Sequence, residues 1–440
     1  MKKMRKHLAV SSFFRIFATS FPIIAAFFWQ KRHKMNITID YPFWLVALAG
    51  LFVLAWLIQL ILNLVVWQGL RREANRQART PAYVGGEQPG VSVLVYSHNE
   101  AESLARNLPV LLSQNYPKYE VIVLDDNSRD HTRDVLTMMD QRSDILMHTK
   151  IDEKTRAMSH RKLAVLLGTK SAHYDIILMT HAQCMPASAE WISGLVSHFA
   201  NPAVEVVLGP VVYERRASFL SRFCQFDLFQ RLLLMFGITL TMKAYAGWGQ
   251  NLAFRKSTFY ANRSQGFQRH LKMQPGEDDL FVADVARGGN VAVSCTPATV
   301  MTDQSQPLFI NWSIDRWNRG FTSRLYPWLP FVVKFFEYLT RYLTVLPGLA
   351  LMAYALMKIV GSGGAHTHAW IVLGLVLAML LIRLALVVFT YISSAKALKQ
   401  RPFIGWPILC DLYTPLVDLW FRCKALIYHK RFGVSKVGLY

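Results

Sequence analysis

Acidic residues are scarce in this 440-residue chain: 28 Asp and Glu stand against 49 Lys and Arg, a formal net charge of +21. A surplus of that size implies anionic partners. Nucleic acid is excluded among them, because the basic residues form no single patch with interleaved aromatics and no nucleic-acid motif occurs. An anionic membrane face and anionic substrates remain. Cysteine is scarce too. Cys184, Cys224, Cys295, Cys410 and Cys423 are odd in number, and none stands in a CxxC pair. That pattern excludes a disulfide frame and a zinc site and leaves free thiols in a reducing compartment. No inverted repeat or set of broken helices marks a transporter. No small-residue cleavage site follows the apolar N-terminal stretch, which argues against a cleaved signal peptide. No feature points to a particular protein partner.

What is abundant is apolar side chain. Hydrophobic residues make up 52% of the chain and the mean hydropathy is +0.22, more than a soluble domain of this size carries. Residues 41–67 form an uncharged apolar run long enough to cross about 30 Å of hydrocarbon. Arg71, Arg72, Arg76 and Arg79 follow it, which marks the cytoplasmic side. Residues 342–392 hold two further spans, Tyr342–Val360 and Ala369–Ile392, joined by Gly361–Gly364. Lys396, Lys399 and Arg401 return the chain to the cytoplasm. Arg383 inside the last span must face protein or snorkel. The segment 1–34 is basic at both ends and broken by Arg15 and Pro22. It reads as an interfacial helix, an extra span, or sequence ahead of a start at Met35. Residues 326–341 read as an interfacial helix, and 393–440 as an amphipathic, membrane-associated region with Asp411, Asp418, Arg422 and Lys424 among aromatics.

Between the spans, over 85–325, the pattern changes to α/β. Val91–Val95 is a buried strand that ends at Ser97-His98-Asn99-Glu100. Residues 101–113 have helical spacing. Val121–Leu124 is a second strand, stopped by Asp125-Asp126-Asn127-Ser128, and a helix follows over 131–139. Ile176–Met179 is a third strand, ending at Thr180-His181-Ala182-Gln183. Strands alternating with helices imply a mainly parallel sheet, and such sheets bind ligands at their carboxyl ends. A polar cluster at one strand end is ordinarily a turn. Three at successive strand ends outweigh that reading.

The ordered motifs Val93–Glu100, Ser113-Gln114-Asn115-Tyr116-Pro117, Glu120–Ser128 with Asp130 and Thr132, and His160-Arg161-Lys162-Leu163-Ala164 resemble family 2 glycosyltransferases over Val91 to about Gly320. Asn127 stands where that family has glycine. The resemblance implies a Rossmann-like GT-A domain, a nucleotide-sugar donor (a UDP-sugar first) and an inverting displacement. It also implies a lipid or lipid-linked glycan acceptor at the cytoplasmic face, in a bacterial inner membrane. Carried over, Asn99 and Glu100 line the nucleotide pocket, Asp125 and Asp126 contact base and ribose, and Lys162 counters diphosphate charge. Gly249 and Asn251 belong to a glycine-rich element near donor and acceptor. Glu277-Asp278-Asp279 supplies the catalytic base, Asp278 before Asp279. Arg316-Trp317 resembles the end of a Gln-x-x-Arg-Trp motif that serves diphosphate and acceptor, with Ser313 in the glutamine position.

The family's Asp-x-Asp is His181-Ala182-Gln183 here. Those acids ordinarily hold Mg²⁺ or Mn²⁺, and a neutral His/Gln pair suits a hard cation poorly. Three readings stay open. His181 and Gln183 hold a metal weakly, or Lys162, Arg161 or Arg316 replace it, or the domain binds without transferring. A processive polysaccharide synthase is a further reading.

Overall fold

The computed structural model describes residues 42–79, 88–151, 159–261, 273, 275–305 and 308–432. The expected N-terminal segment 1–34 and residues 433–440 lie outside them. Ten strands are β1 Val91–Ser97, β2 Tyr119–Asp125, β3 Leu146–Lys150, β4 Ile176–His181, β5 Cys184–Pro186, β6 Val206–Leu208, β7 Val211–Tyr213, β8 Leu252–Arg255, β9 Val291–Val293 and β10 Met301–Asp303. The helices used below are α1 Phe43–Leu62, α2 Gly69–Arg79, α3 Ala101–Leu112, α4 Thr132–Asp140, α5 His160–Ser171, α6 Phe219–Thr241, α7 Asp279–Val285, α8 Phe309–Thr322, α9 Trp328–Gly361, α10 Thr367–Ala397 and α11 Tyr413–Phe432.

Seven strands form one sheet in the order β3-β2-β1-β4-β8-β6-β9, and β5-β10-β7 form a small second sheet. β1, β2, β3 and β4 pair in parallel, and β8 runs against both β4 and β6. The expected mainly parallel α/β domain is therefore present. β1 and β2 are β-branched, apolar and buried along almost their whole length, as strands covered by helices on both faces must be. Three of these ten strands, β1, β2 and β4, are the ones expected from the sequence, and the other seven, β3 among them, are not. β3, Leu-Met-His-Thr-Lys, buries only Leu146, because it lies at the sheet edge and carries little apolar signal. Ile176–Met179 is consequently the fourth strand.

Among the described residues four helices are long and apolar enough to cross a membrane: Phe43–Arg79, Phe219–Thr241, Trp328–Gly361 and Thr367–Ala397. Three contain the expected spans. α6 was not foreseen, since Arg222, Asp227 and Arg231 interrupt it, and 78% of its apolar window is buried inside the protein. Residues 328–341 are not a separate interfacial piece. They run without a break into α9. Two arginines in these helices are paired with acids, as a charge in an apolar layer requires. Arg383 reaches Asp411 at 2.6 Å, and Arg341 reaches Glu337 at 2.5 Å and Asp411 at 3.5 Å.

Candidate active site

The parallel register aligns the carboxyl ends of the central strands. Ser97 lies opposite Asp125, and Tyr96 opposite His181. Two turns leave this edge. Asn127 has φ 50° and Asn99 φ 53°, in the left-handed region where asparagine replaces glycine at least cost. The turns are tied together: the Asn99 amide donates to Ser128 Oγ (2.8 Å) and Asn99 Oδ1 accepts from the Arg129 amide (2.8 Å). Glu100 leads into α3 and accepts from Ser103 Oγ at 2.5 Å. Asp125 is buried and accepts from the Ser128 amide at 3.0 Å. Asp126 is buried beside it, holding the Tyr96 hydroxyl at 2.5 Å and His160 Nδ1 at 2.7 Å.

The acid run sits at the start of α7. Asp278 Oδ2 accepts from the Gly249 amide at 2.8 Å, and Arg319 approaches the same oxygen at 3.9 Å. Asp279 is buried and accepts from Thr322 Oγ1 and the Tyr326 hydroxyl, each at 2.5 Å. Glu277 is buried, meets Arg161 at 3.3 Å through Oε1, and has no hydrogen-bond partner for Oε2 among the described residues. Burial raises the pKa of Asp278, and Glu277 adds to the rise while Arg319 opposes it. Burial and Asp278 raise that of Asp279. A carboxylate raised this way suits proton abstraction. Lys162 is wholly buried and donates to the Met273 carbonyl at 2.9 Å. Burial lowers its pKa to about 8, against the pull of Glu277, Asp279 and Asp278. Its ammonium serves the floor under the acids.

At the end of β4 the Tyr96 and His181 rings lie 5.8 Å apart. Burial, with Arg161 and Arg319 nearby, pushes the His181 pKa down to about 3. A neutral imidazole between two guanidinium groups does not fit a divalent cation. Gln183 brings only a carboxamide, and its backbone carbonyl accepts from the Gln304 backbone amide at 3.0 Å. No group of three or more His, Cys, Asp or Glu that could hold a metal ion occurs among the described residues. The metal role expected for His181 and Gln183 therefore lacks a donor set.

Two other expectations are relocated. Asn251 is buried, with Nδ2 donating to the carbonyls of Pro210 (2.9 Å) and Thr299 (2.8 Å), and Oδ1 accepting from Trp191 Nε1 (3.0 Å). It anchors the loop that presents Gly249. Arg316 is buried against Asp227 of α6 and Asp418 of α11, so its charge is spent joining helices. Trp317 is buried in an apolar cluster with Cys224, Trp312, Val417 and Phe421, under Lys424. The arginine that reaches the acid is Arg319, one helical turn on. Its Nε donates to Asp315 at 3.0 Å and its guanidinium stacks 5.4 Å from the Trp248 ring. The sequence carried one signal for it: Asp315 and Arg319 are four residues apart on one helix.

A cleft is lined by Trp248, Arg319 and Tyr326 together with Phe331 and Lys334 of α9 and Arg422 of α11. The site thus opens toward the apolar helices.

Residues 92–265 match the family model described as glycosyl transferase family 2. That segment is similar to family 2 glycosyltransferase domains. Glycosyltransferase AglE of Haloferax volcanii is 30% identical over 127 residues, 28% of this chain and 40% of that protein. The poly-beta-1,6-N-acetyl-D-glucosamine synthase of Staphylococcus aureus is 26% identical over 96 residues, 22% of each chain. The chain thus spans less than half the length of these curated relatives. Among solved structures, the mannosyltransferase PcManGT of Pyrobaculum calidifontis, in complex with GDP-Man and Mn²⁺, aligns with a TM-score of 0.44 at 18% identity, over 78% of this chain and 98% of that one.

Proposed function

We propose that this chain is an inverting glycosyltransferase. It moves a sugar from a nucleotide-sugar donor, a UDP-sugar first, to a lipid or lipid-linked glycan acceptor at the cytoplasmic face of a bacterial inner membrane. The observation that carries this reading is Asp278. Its carboxylate is held by the Gly249 amide at 2.8 Å, beside Arg319 at 3.9 Å, and its pKa is raised by burial. In the reaction the acceptor oxygen attacks the anomeric carbon and its proton passes to Asp278. The bond from that carbon to the diphosphate oxygen breaks, and the nucleoside diphosphate leaves with the electron pair. Asp125 and Asp126 accept hydrogen bonds from base or ribose. The cleft toward α9 and α11 supports an acceptor that stays near lipid.

A second reading, a binding subunit without turnover, is favoured by the missing strand-end acids at His181 and Gln183. A third, a polysaccharide synthase, draws on similarity to the staphylococcal synthase. The test is transfer or hydrolysis across a panel of nucleotide sugars by the purified full chain in detergent, with membrane lipid extract as acceptor. Turnover that disappears in Asp278→Asn supports the proposal. Nucleotide binding with no turnover on any donor supports the subunit reading, and a long polymer product the synthase.

A further inference from the structure

The strand-end edge holds an ordered row of groups. Asp126, the acid expected at the nucleoside, binds the Tyr96 hydroxyl. The Tyr96 and His181 ring centroids lie 5.8 Å apart, and the Arg161 guanidinium lies 5.3 Å from the Tyr96 centroid. Arg161 is bonded onward to Glu277. Asp278 follows, with Arg319 at 3.9 Å. A donor whose nucleoside lies at Asp126 and whose anomeric carbon lies at Asp278 must lay its diphosphate across the middle of this row. Acidic metal ligands are missing there, and two guanidinium groups are present.

We propose that Arg161 and Arg319 bind the donor diphosphate directly, in the position a divalent cation would otherwise take. The proposal rests on the glycosyltransferase reading above. Arginine suits the task. Its charge is permanent, and its planar fork of donors matches phosphate oxygens two at a time. Half of the Arg161 side chain is exposed, at 51%, so Glu277 and Tyr96 do not exhaust its five donors. Arg161 also lies in the first turn of α5, where backbone amides and the helix dipole favour anions. Arg319 is steadied by Asp315 and by the Trp248 face, which sets its fork before the donor arrives. The His181 ring lies beside Tyr96, with centroids 5.8 Å apart. The two arginines supply two positive charges to the diphosphate, which already carries negative charge in the donor and gains one more as it leaves with the electron pair. The leaving group therefore departs without a metal to carry its electron pair.

The test is calorimetric binding of UDP, GDP and the matching monophosphates to the purified full chain, in EDTA and again with MnCl₂. The expected result is that one diphosphate binds in EDTA and that manganese changes its affinity less than about threefold. Arg161→Gln and Arg319→Gln should each weaken that diphosphate by about 10-fold or more, since charge-assisted contacts are lost, while the monophosphate changes little. Diphosphate binding that requires manganese overturns the proposal and leaves the transferase reading standing. Failure of every nucleotide to bind overturns the transferase reading itself. If a glutamine variant also loses the monophosphate, Arg161→Lys and Arg319→Lys decide. A partial loss confined to the diphosphate supports the proposal, and an equal loss of both ligands overturns it.

Discussion

Asp278 and Asp279 are neighbours in the chain and face opposite tasks. Asp278 spends its contacts on the Gly249 amide and Arg319, at the open side of the cleft. Asp279 takes two hydroxyls, from Thr322 and Tyr326, in the interior. Asp278→Asn should therefore lower kcat by about 10²–10⁴-fold, the ordinary contribution of a general base, with little change in melting temperature. Asp279→Ala should do the reverse. Two buried hydroxyls lose a charged acceptor, at a cost of about 3 kcal/mol, read as a fall in Tm. Equal effects in the two variants would overturn this division. The acid side of the pH profile follows from the same geometry. Asp278 acts only when ionised, and its pKa is raised by burial and by Glu277. Activity must fall as pH drops through that raised value, so the acid limb of kcat/KM should lie above about 4, the unperturbed aspartate value. Glu277→Gln removes a negative neighbour, favours the ionised form, and should move the limb to lower pH. A limb that stays in place, or rises, would remove Asp278 from the role of base. Much of this site was legible beforehand, because strand ends advertise themselves as polar clusters after apolar runs. Asn127 and Asn99 were legible as turn residues, though their left-handed backbone was not. Arg319 was hidden for a physical reason. Helical spacing places Arg316 and Arg319 one turn apart, and only the packing of α6 and α11 shows that Asp227 and Asp418 claim the first.

At the scale of elements, α2, α6 and the one-turn bulge Asn63–Trp67 pack closely, and glycine makes the approach possible. A Cβ on Gly237 would lie 2.2 Å from the Val66 carbonyl oxygen, and one on Gly69 3.1 Å from the Gly237 Cα. This is backbone against backbone, with no flexible side chain to move aside. Gly237→Val should therefore separate α6 from the segment that follows the first span, a cost of about 1–3 kcal/mol or more. It would show as a lower Tm in detergent, with Gly374→Val, which meets nothing within 4 Å, as the matched control. A variant as stable as the control would mean that the contact is not tight. The sequence could not announce α6 as a membrane-layer helix, because Arg222, Asp227 and Arg231 lie along it and hydropathy averages over them. Packing decides instead, by supplying Arg231 with Asp315 and Asp227 with Arg316. The edge strand β3 was hidden for the opposite reason: one buried residue in five leaves no alternation to read.

At the scale of the whole molecule, charge and apolar surface assign a direction. The helices α9 and α10 expose Leu346, Leu349, Met357, Val360, Leu375, Leu381 and Phe389, an apolar surface that lipid would cover. On α11, Leu416, Leu419, Trp420 and Ile427 are exposed at i, i+3, i+4 and i+11, a stripe suited to lying on a bilayer. Basic residues flank the ends that adjoin the catalytic domain: Arg71, Arg72, Arg76 and Arg79 after α1, and Lys396, Lys399 and Arg401 after α10. The positive-inside rule supports the proposed placement of these ends, and of the domain with them, in the cytoplasm. The orientation can be tested with a single thiol. Four cysteines are buried and Cys423 is exposed, so Cys423→Ser clears the background, and Arg133→Cys places a thiol on an exposed position of α4. A membrane-impermeant maleimide should label this variant in inverted membrane vesicles and leave it unlabelled in intact cells. Labelling in intact cells would put the domain outside, away from the cytoplasmic pool of nucleotide sugars that the proposed reaction draws on. The surplus of +21 would then need an anionic partner on that other face.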